Sequence, residues 1–172
     1  MNIVLMGYMG SGKSLIGREL AKKINFKYLD LDDFIEVKEK KSIANIFKEK
    51  GEIYFRKKES QYLKEVLETY NKSIISLGGG TPCFADNLEI LKQESITSIY
   101  LQTSLDELTK RLFEERSKRP LISHLQKKED LKDFIRKHLF ERSFYYNQGD
   151  LKVSTDAKNV NQVTEEILSL LS

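Results

Sequence analysis

The sequence predicts an α/β protein in three layers, α/β/α, with a five-stranded parallel sheet in the middle. Short apolar runs alternate along the chain with longer segments whose apolar residues recur at helical spacing. A glycine-rich loop joins the first apolar run to the first helical segment. This alternation is typical of a parallel sheet covered by helices on both faces. At 172 residues, the chain is expected to form one domain, 1–172.

Five short segments are predicted as strands: 3–6, 27–33, 73–77, 96–101 and 151–154. Helices are predicted from the loop to about Asn25 and over 33–69, 86–93, 104–115, 128–146 and 160–171. The segment 33–69 has breaks at Lys41-Ser42 and at Gly51 but nothing like a linker, so we interpret it as a helical insertion. Ser104 and Glu107 have the spacing of a capping box. Residues 115–123 are polar and contain a proline, which predicts a mobile loop.

Composition narrows the range of functions. The 29 basic and 26 acidic residues give a formal charge of +3, spread along the chain, so nucleic acid is not expected as a partner. No apolar run is long enough to cross a bilayer. Met1-Asn2 leads straight into the first strand, which predicts no signal peptide and a cytoplasmic protein. Cys83 is the single cysteine, so neither a disulfide framework nor a cysteine-based metal site is expected. The sequence does not fix the oligomeric state, but no long heptad seam demands assembly, and we expect a monomer.

Residues 7–14, GYMGSGKS, fit the phosphate-binding motif G-x-x-x-x-G-K-[ST]. Its glycines allow successive N–H groups to turn inward around a polyphosphate. The helix that begins near Lys13 adds its positive dipole end, and the ammonium reaches the β- and γ-phosphates. Ser14 offers a hydroxyl to Mg²⁺. The loop therefore predicts nucleotide binding, against the alternative of a glycine-rich turn before a helix.

Two aspartates close the second predicted strand, where open α/β sheets place their ligands. Strand alternation predicts that Asp30 and Asp32 share one side, while Asp33 caps the next helix. One carboxylate near Mg²⁺ can hold the ion through water, and another can orient an attacking hydroxyl and accept its proton. The alternative is that all three residues only cap and bend the turn.

Three consecutive glycines, Gly78 to Gly80, end the third strand. They permit close approach by a ligand, and a tight turn before Pro82 explains them equally well.

Three arginines, Arg56, Arg119 and Arg142, lie in separate segments. Their planar guanidinium groups suit carboxylates and phosphates. Each arginine is also compatible with an ordinary surface charge, since Glu52 and Glu59 have the spacing to pair with Arg56.

Together these segments resemble the shikimate kinase family nearly end to end. The matching motifs are GYMGSGKS at 7–14, LDLD at 29–32, SIANIF at 42–47, GEIYFRKKE at 51–59, SLGGG at 76–80 and RPL at 119–121. The resemblance implies a P-loop NTPase fold of the nucleoside monophosphate kinase type. It also implies transfer of the ATP γ-phosphoryl group to the 3-hydroxyl of shikimate, giving shikimate 3-phosphate and ADP, in the chorismate and aromatic amino-acid pathway.

The resemblance further implies a set of site residues. Lys13, Asp32 and Arg119 would be catalytic, and Ser14 and, through water, Asp30 would hold Mg²⁺, with Ser76 as an outer partner. A lid at about 116–125 would carry Arg119 to the phosphate, and Arg111 would stack on adenine. The ATP-binding residues would be Gly10, Ser11, Gly12, Lys13, Ser14, Leu15, Arg111 and Arg119. Those for shikimate would be Asp32, Phe55, Arg56, Gly78, Gly79, Gly80 and Arg142. The role of Lys158, near the adenine, stays open.

Two other functions are weighed against this one. A gluconate kinase would use similar ATP machinery, but gluconate kinases lack the combination of the FR segment, the triple glycine and the RPL lid. A nucleotide-dependent switch would have no need for a buried Asp32 beside two arginines.

Overall fold

A computed structural model describes all residues from 1 to 172. Five strands form one parallel sheet in the order β2-β3-β1-β4-β5. The strands are β1 Asn2–Met6, β2 Lys27–Asp30, β3 Ser73–Ser76, β4 Ile96–Gln102 and β5 Leu151–Ser154. The helices are α1 Lys13–Ile24, α2 Leu31–Glu39, α3 Ile43–Thr69, α4 Asn87–Leu91, α5 Leu105–Glu115, α6 Lys128–Tyr146 and α7 Val160–Leu171.

Strand β1 shows why the sheet carries helices on both faces. All of its residues are buried, and alternate side chains enter different cores. Val4 and Met6 join a core with residues of α2, α3, α5 and α6, whereas Ile3 and Leu5 join a second core with residues of α1 and α7. The predicted three-layer α/β/α architecture is therefore confirmed.

The breaks predicted in the helical insertion are confirmed. Helix α2 ends at Glu39, and Ser42 caps α3 by accepting a hydrogen bond from the Asn45 N–H. Within α3, Gly51 has φ 84° and ψ 171°, which divides the helix into two segments. The positive φ requires glycine, because a Cβ atom strains this conformation.

The prediction that strand β2 runs to Asp33 is wrong. The Asp30 carboxylate accepts a hydrogen bond from the Asp33 N–H at 3.2 Å, so Asp30 is the N-cap and α2 begins at Leu31. Asp33 is therefore not the capping residue, and Asp32 lies in the first helical turn. Strand alternation does not place Asp30 and Asp32 on the same side; the tight junction between strand and helix does.

Only half of the predicted capping box at α5 forms. The Ser104 hydroxyl accepts from the Glu107 N–H at 3.2 Å, as expected. The Glu107 carboxylate does not return the bond, because it pairs with Arg111 at 2.9 Å, and the Ser104 N–H donates to Asp156 instead. Helix α4 is also shorter than the predicted 86–93.

The segment predicted as a mobile loop has local structure. A short 3₁₀ turn covers Arg116–Lys118, and the N–H groups of Ile122 and Ser123 both donate to the carbonyl of Arg119. Ile122 is fully buried, whereas its neighbour Leu121 is 68% exposed. The mobility of the loop at 115–123 and the role of residues 116–125 as a lid stay predictions. No helix of the chain combines the length and the apolar character that spanning a membrane requires.

Candidate active site

A cleft of about 750 Å³ opens where the strands of the sheet end. It is lined by segments that follow β1, β2, β3 and β5, together with parts of α1, α5 and α7. Twelve predicted site residues share this cleft: Gly10, Ser11, Gly12, Lys13, Ser14, Leu15, Asp30, Asp32, Gly78, Gly79, Arg111 and Arg119. Four others, Phe55, Arg56, Gly80 and Arg142, lie outside its lining.

The phosphate loop is shaped by its own backbone. Gly10 and Gly12 have φ of 82° and 93°, and the Ser11 N–H donates to the Tyr8 carbonyl. The Ser11 hydroxyl is buried without a partner. Leu15 lies at the mouth of the cleft, 61% exposed.

The Lys13 ammonium lies within the loop. It donates to the backbone carbonyls of Gly7 at 2.7 Å and Tyr8 at 3.1 Å. Burial lowers the pKa of Lys13 from 10.5 to about 8; Asp32 and Asp30 oppose this shift, and Arg119 and Arg142 add to it. Because charged donors form the stronger hydrogen bonds with charged oxygens, this ammonium is suited to exchange carbonyls for phosphate.

The Asp32 carboxyl lies beside Lys13 in the cleft. Burial raises its pKa from 3.8 to about 6, with further increases from the negative charges of Asp30 and Glu59 and a decrease from Lys13. A carboxylate with a pKa near 6 is a better proton acceptor than an ordinary aspartate, and near neutral pH it is still mostly ionised. The side chain can therefore orient a hydroxyl and receive its proton.

Three of the predicted shikimate-binding side chains, Asp32, Arg56 and Arg142, converge on the triple glycine. A Cβ atom on Gly78 would lie 2.9 Å from the Asp32 carboxylate, and one on Gly79 would lie 3.2 Å from Arg142 Nη1. On Gly80 it would lie 2.7 Å from Arg56 Nη2. Each glycine is thus in close contact with a different predicted shikimate-binding side chain. A side chain at Gly78 or Gly80 would therefore displace Asp32 or Arg56, whereas one at Gly79 would require Arg142 to shift by only a few tenths of an ångström.

Arg56 is held firmly on α3. Its Nη1 pairs with Glu59 at 2.9 Å, and its Nε lies 3.6 Å from Glu52. Both pairings were expected from the spacing, and they are confirmed. The guanidinium carbon lies 3.9 Å from the centre of the Phe84 ring. Phe55 is 3% exposed and packs in the core, and the centre of its ring lies 5.2 Å from the Arg56 guanidinium carbon, so it supports Arg56 and does not line the cleft.

Arg142 differs from Arg56 in having no carboxylate within ion-pair distance. It projects from α6 toward Gly79, and its guanidinium carbon lies 5.7 Å from the centre of the Tyr8 ring. The Tyr146 hydroxyl, one turn further along α6, donates to the Gly79 carbonyl. The guanidinium is therefore available for an acidic ligand.

The other two predicted site arginines, Arg111 and Arg119, line the cleft together with the phosphate loop. Arg119 Nη2 pairs with Glu115 at 3.2 Å, whereas its Nε is buried without a partner. Arg111 donates to the Gly10 carbonyl at 3.1 Å and pairs with Glu107. Lys158 also lines the cleft, and it donates to the Ser154 carbonyl and to Glu166.

Hard oxygen donors suitable for a magnesium ion lie in the same cleft. The Ser14 hydroxyl and the Asp30 carboxylate both line it. Buried Ser76 accepts from the Tyr28 hydroxyl at 3.1 Å and donates to the Lys13 carbonyl at 3.3 Å, so it supports the start of α1. Mg²⁺ in phosphotransferases needs only one or two carboxylates besides phosphate oxygens and water, and these residues fit that requirement.

The sequence does not predict two buried side chains that support the site: Glu59, which binds Arg56, and Tyr146, which binds the carbonyl of Gly79. Glu59 is 1% exposed and binds both Arg56 and the Thr81 hydroxyl, at 2.9 and 2.8 Å. Its helical spacing from Arg56 was visible, but its burial was not. Tyr146 is 67 positions away from Gly79, and nothing in the sequence connects the two.

A parallel sheet of this order, a phosphate loop after its first strand and a carboxylate facing that loop define a P-loop small-molecule kinase of the nucleoside monophosphate kinase type. The family model described as shikimate kinase matches residues 9–172. A shikimate kinase of Flavobacterium johnsoniae is 47% identical over 99% of this chain and 98% of the relative, and one of Flavobacterium psychrophilum is 44% identical over 98% of each. The chain belongs to the shikimate kinase family, whose members transfer the γ-phosphoryl group of ATP to the 3-hydroxyl of shikimate.

Solved structures agree with this assignment. The crystal structure of shikimate kinase from Bacteroides thetaiotaomicron superposes with a TM-score of 0.93 at 33% identity and covers 99% of this chain and 98% of its own. Shikimate kinase from Acinetobacter baumannii, solved in complex with shikimate, gives a TM-score of 0.86 at 32% identity, with 99% and 92% coverage. These likenesses extend over the whole sheet and both helical layers.

Proposed function

We propose that this chain phosphorylates the 3-hydroxyl of shikimate with ATP and that the cleft and the adjoining arginines form its active site. The observation that carries the proposal is the triple glycine, whose residues contact Asp32, Arg142 and Arg56 in turn. A polyol acid needs cationic forks for its carboxylate and a carboxylate for its hydroxyl. This turn supports both beside the phosphate loop.

The two arginines would bind the carboxylate of shikimate. Arg56 is positioned by Glu59, and Arg142 has no ion-pair partner in the protein. A guanidinium donates two parallel hydrogen bonds to a carboxylate, so the pair fixes both the position and the orientation of the ring. Gly78, Gly79 and Gly80 would pack against the ring hydroxyls, with Phe55 as the wall behind Arg56.

At the other end of the acceptor, Asp32 would accept the proton of the attacking hydroxyl. The hydroxyl oxygen bonds to the γ-phosphorus, the bond from that phosphorus to the bridging oxygen breaks, and ADP leaves. Lys13 and Arg119 would stabilise the charge on the transferred group, while the loop amides of Gly10, Ser11 and Gly12 hold the remaining phosphates.

Magnesium is part of the proposal. Ser14 and, through water, Asp30 would hold Mg²⁺, which neutralises charge on the phosphates when it is bound with ATP. Leu15 and Arg111 would contact the nucleotide.

The domain layout follows from these roles. Residues 33–69 would act as the substrate-binding insertion of a single domain, and residues 116–125 as a lid that carries Arg119 and excludes water. We further propose a monomeric cytoplasmic enzyme with small molecules rather than nucleic acid as partners. The single cysteine and the evenly spread charge support this view.

A coupled ADP-release assay tests the function. Shikimate, gluconate and nucleoside monophosphates are offered separately with Mg-ATP, and only shikimate is expected to support turnover. Arg56→Ala should abolish useful shikimate binding and leave ATP binding nearly intact. Arg136→Ala, which removes an exposed arginine paired with Asp133, serves as the matched control and should change neither. Equal loss of ATP and shikimate binding in Arg56→Ala would contradict the role assigned to it.

A further inference from the structure

Tyr8, the second residue of the phosphate loop, contacts helix α6 at two places. Its hydroxyl lies 2.8 Å from His138 Nδ1, and the two rings are 5.8 Å apart at an interplanar angle of 52°. Its ring also faces the Arg142 guanidinium at 5.7 Å. His138 and Arg142 are four residues apart and therefore lie on one face of α6. Tyr8 is 1% exposed, so this contact is part of the interior.

Both partners of this hydrogen bond are neutral near pH 7. Burial raises the pKa of Tyr8, so the phenol keeps its proton and is able to donate it. Burial also lowers the pKa of His138, and the nearby positive charge of Arg142 adds to this effect, so the ring is neutral near pH 7. A neutral ring with its proton on Nε2 presents Nδ1 as an acceptor. Phe134 packs edge-on against the ring at 4.5 Å and helps to fix its orientation.

The backbone of Tyr8 lies on the side of the proposed ATP site. The Tyr8 carbonyl accepts from Lys13 Nζ at 3.1 Å. The backbone therefore contacts the phosphate-binding lysine, and the side chain contacts the helix that carries Arg142.

We propose that Tyr8 and His138 are positioning residues for Arg142: their hydrogen bond fixes α6 against the phosphate loop and holds the guanidinium where the carboxylate of the acceptor binds. The proposal rests on the carboxylate-binding role given to Arg142 above. Neither side chain touches the reacting atoms. Their loss acts on affinity for the acid rather than on the chemical step.

Matched variants test this proposal. Tyr8→Phe removes only the hydroxyl, and His138→Phe keeps a ring but removes the acceptor. Each should raise KM for shikimate about three- to tenfold, the usual effect of one buried hydrogen bond, and the double variant should be no worse than either single variant. The values of kcat and KM for ATP should stay within about twofold, because the Tyr8 carbonyl is retained.

Two further measurements separate positioning from general loss of structure. His138→Asn keeps an acceptor oxygen near the place of Nδ1 and should restore most of the shikimate affinity. With shikimate carboxamide as acceptor, Tyr8→Phe should behave as the unaltered enzyme does, because that acceptor lacks the charge that Arg142 binds. Additive effects in the double variant, a fall in kcat alone, or an unchanged KM for shikimate would each reject the proposal.

Arg142→Ala is measured in parallel. If its KM for shikimate rises steeply while that of Tyr8→Phe does not change, the positioning role is wrong and the proposed function stands. If Arg142→Ala has no effect, the carboxylate-binding role is itself contradicted, and the positioning role is rejected with it.

Discussion

The proposed active site has two ends that are built in different ways: a phosphate end, which would bind the phosphates of ATP, and an acceptor end, which would bind shikimate. The phosphate end is one continuous segment, 7–14, whose glycines, backbone amides and single lysine all come from eight consecutive residues. The acceptor end takes Asp32 from α2, Arg56 from α3 and Arg142 from α6, and a turn of three glycines brings them together. In the proposed site, phosphate recognition would therefore depend mainly on backbone geometry, whereas acceptor recognition would depend on single side chains that point mutations can remove.

The charges of Lys13 at the phosphate end and Asp32 at the acceptor end also interact with each other. Burial lowers the pKa of Lys13 to about 8 and raises that of Asp32 to about 6, and each side chain partly offsets the shift of the other. Near neutral pH, a cation for the phosphates thus faces a carboxylate able to take up a proton. Substitutions at the acceptor end are expected to affect chemistry or shikimate affinity while ATP binding is preserved.

The largest expected effect comes from Asp32→Asn. The amide cannot accept the proton, so kcat should fall by about 10²- to 10⁴-fold, the usual contribution of a general base, while KM for ATP changes by less than about threefold. Steady-state kinetics with both substrates measure this. Asp33→Asn in the same helical turn is the control and should lose less than about tenfold. Equal losses in the two variants would mean that Asp32 has no special role.

Next in size is Gly80→Ala. The new methyl group would lie 2.7 Å from Arg56 Nη2, so the guanidinium must move, and KM for shikimate should rise about 10- to 100-fold with KM for ATP unchanged. Gly51→Ala is the matched control. Its Cβ would meet nothing within 4 Å, but its φ is 84°, so it should lower the melting temperature and leave KM unchanged. If Gly80→Ala lowered stability without changing KM for shikimate, the turn would have no role in positioning Arg56 for shikimate binding.

These contrasts explain how much of the site the sequence predicts. The phosphate loop is contiguous, so its spacing alone predicts Gly10, Gly12, Lys13 and Ser14 in one place. Asp32 was placed at the right end of the sheet for a wrong reason, because the carboxylate of Asp30 begins α2 two residues earlier than alternation suggested.

The pairing of each glycine with a separate side chain could not be predicted, since it depends on how α2, α3 and α6 pack around the turn. The same applies to the support behind the arginines. The sequence shows that Glu59 can reach Arg56, but its burial follows only from the packing of α3 against Thr81.

The pH dependence sharpens the role of Asp32. With the pKa of Asp32 near 6, kcat/KM for shikimate should fall about tenfold between pH 7 and pH 5, because only the ionised carboxylate accepts the proton. Stability should respond with the opposite sign. The folded protein binds this proton more tightly than the unfolded chain does. The free energy of unfolding should therefore decrease as the pH rises from about 4 to 6.

A matched measurement checks that sign. Asp32→Asn should be more stable than the unaltered protein at pH 7, by on the order of 2 kcal/mol, and the difference should vanish below about pH 4. Urea unfolding at both pH values measures it. A stability difference between the two proteins that stays the same at both pH values would show that the pKa of Asp32 is not raised in the folded protein.

The smallest effect is expected from the two glutamates that share Arg56. Glu59 is 1% exposed at its side chain and Glu52 is 58% exposed, although both pair with the same guanidinium. Glu59→Gln keeps the shape but removes a buried charge, so KM for shikimate should rise about three- to tenfold and the melting temperature should fall. Glu52→Gln should change KM by less than about twofold, because water already screens that pair. If the two substitutions had equal effects, the position of Arg56 would depend on its total charge balance rather than on the buried contact with Glu59.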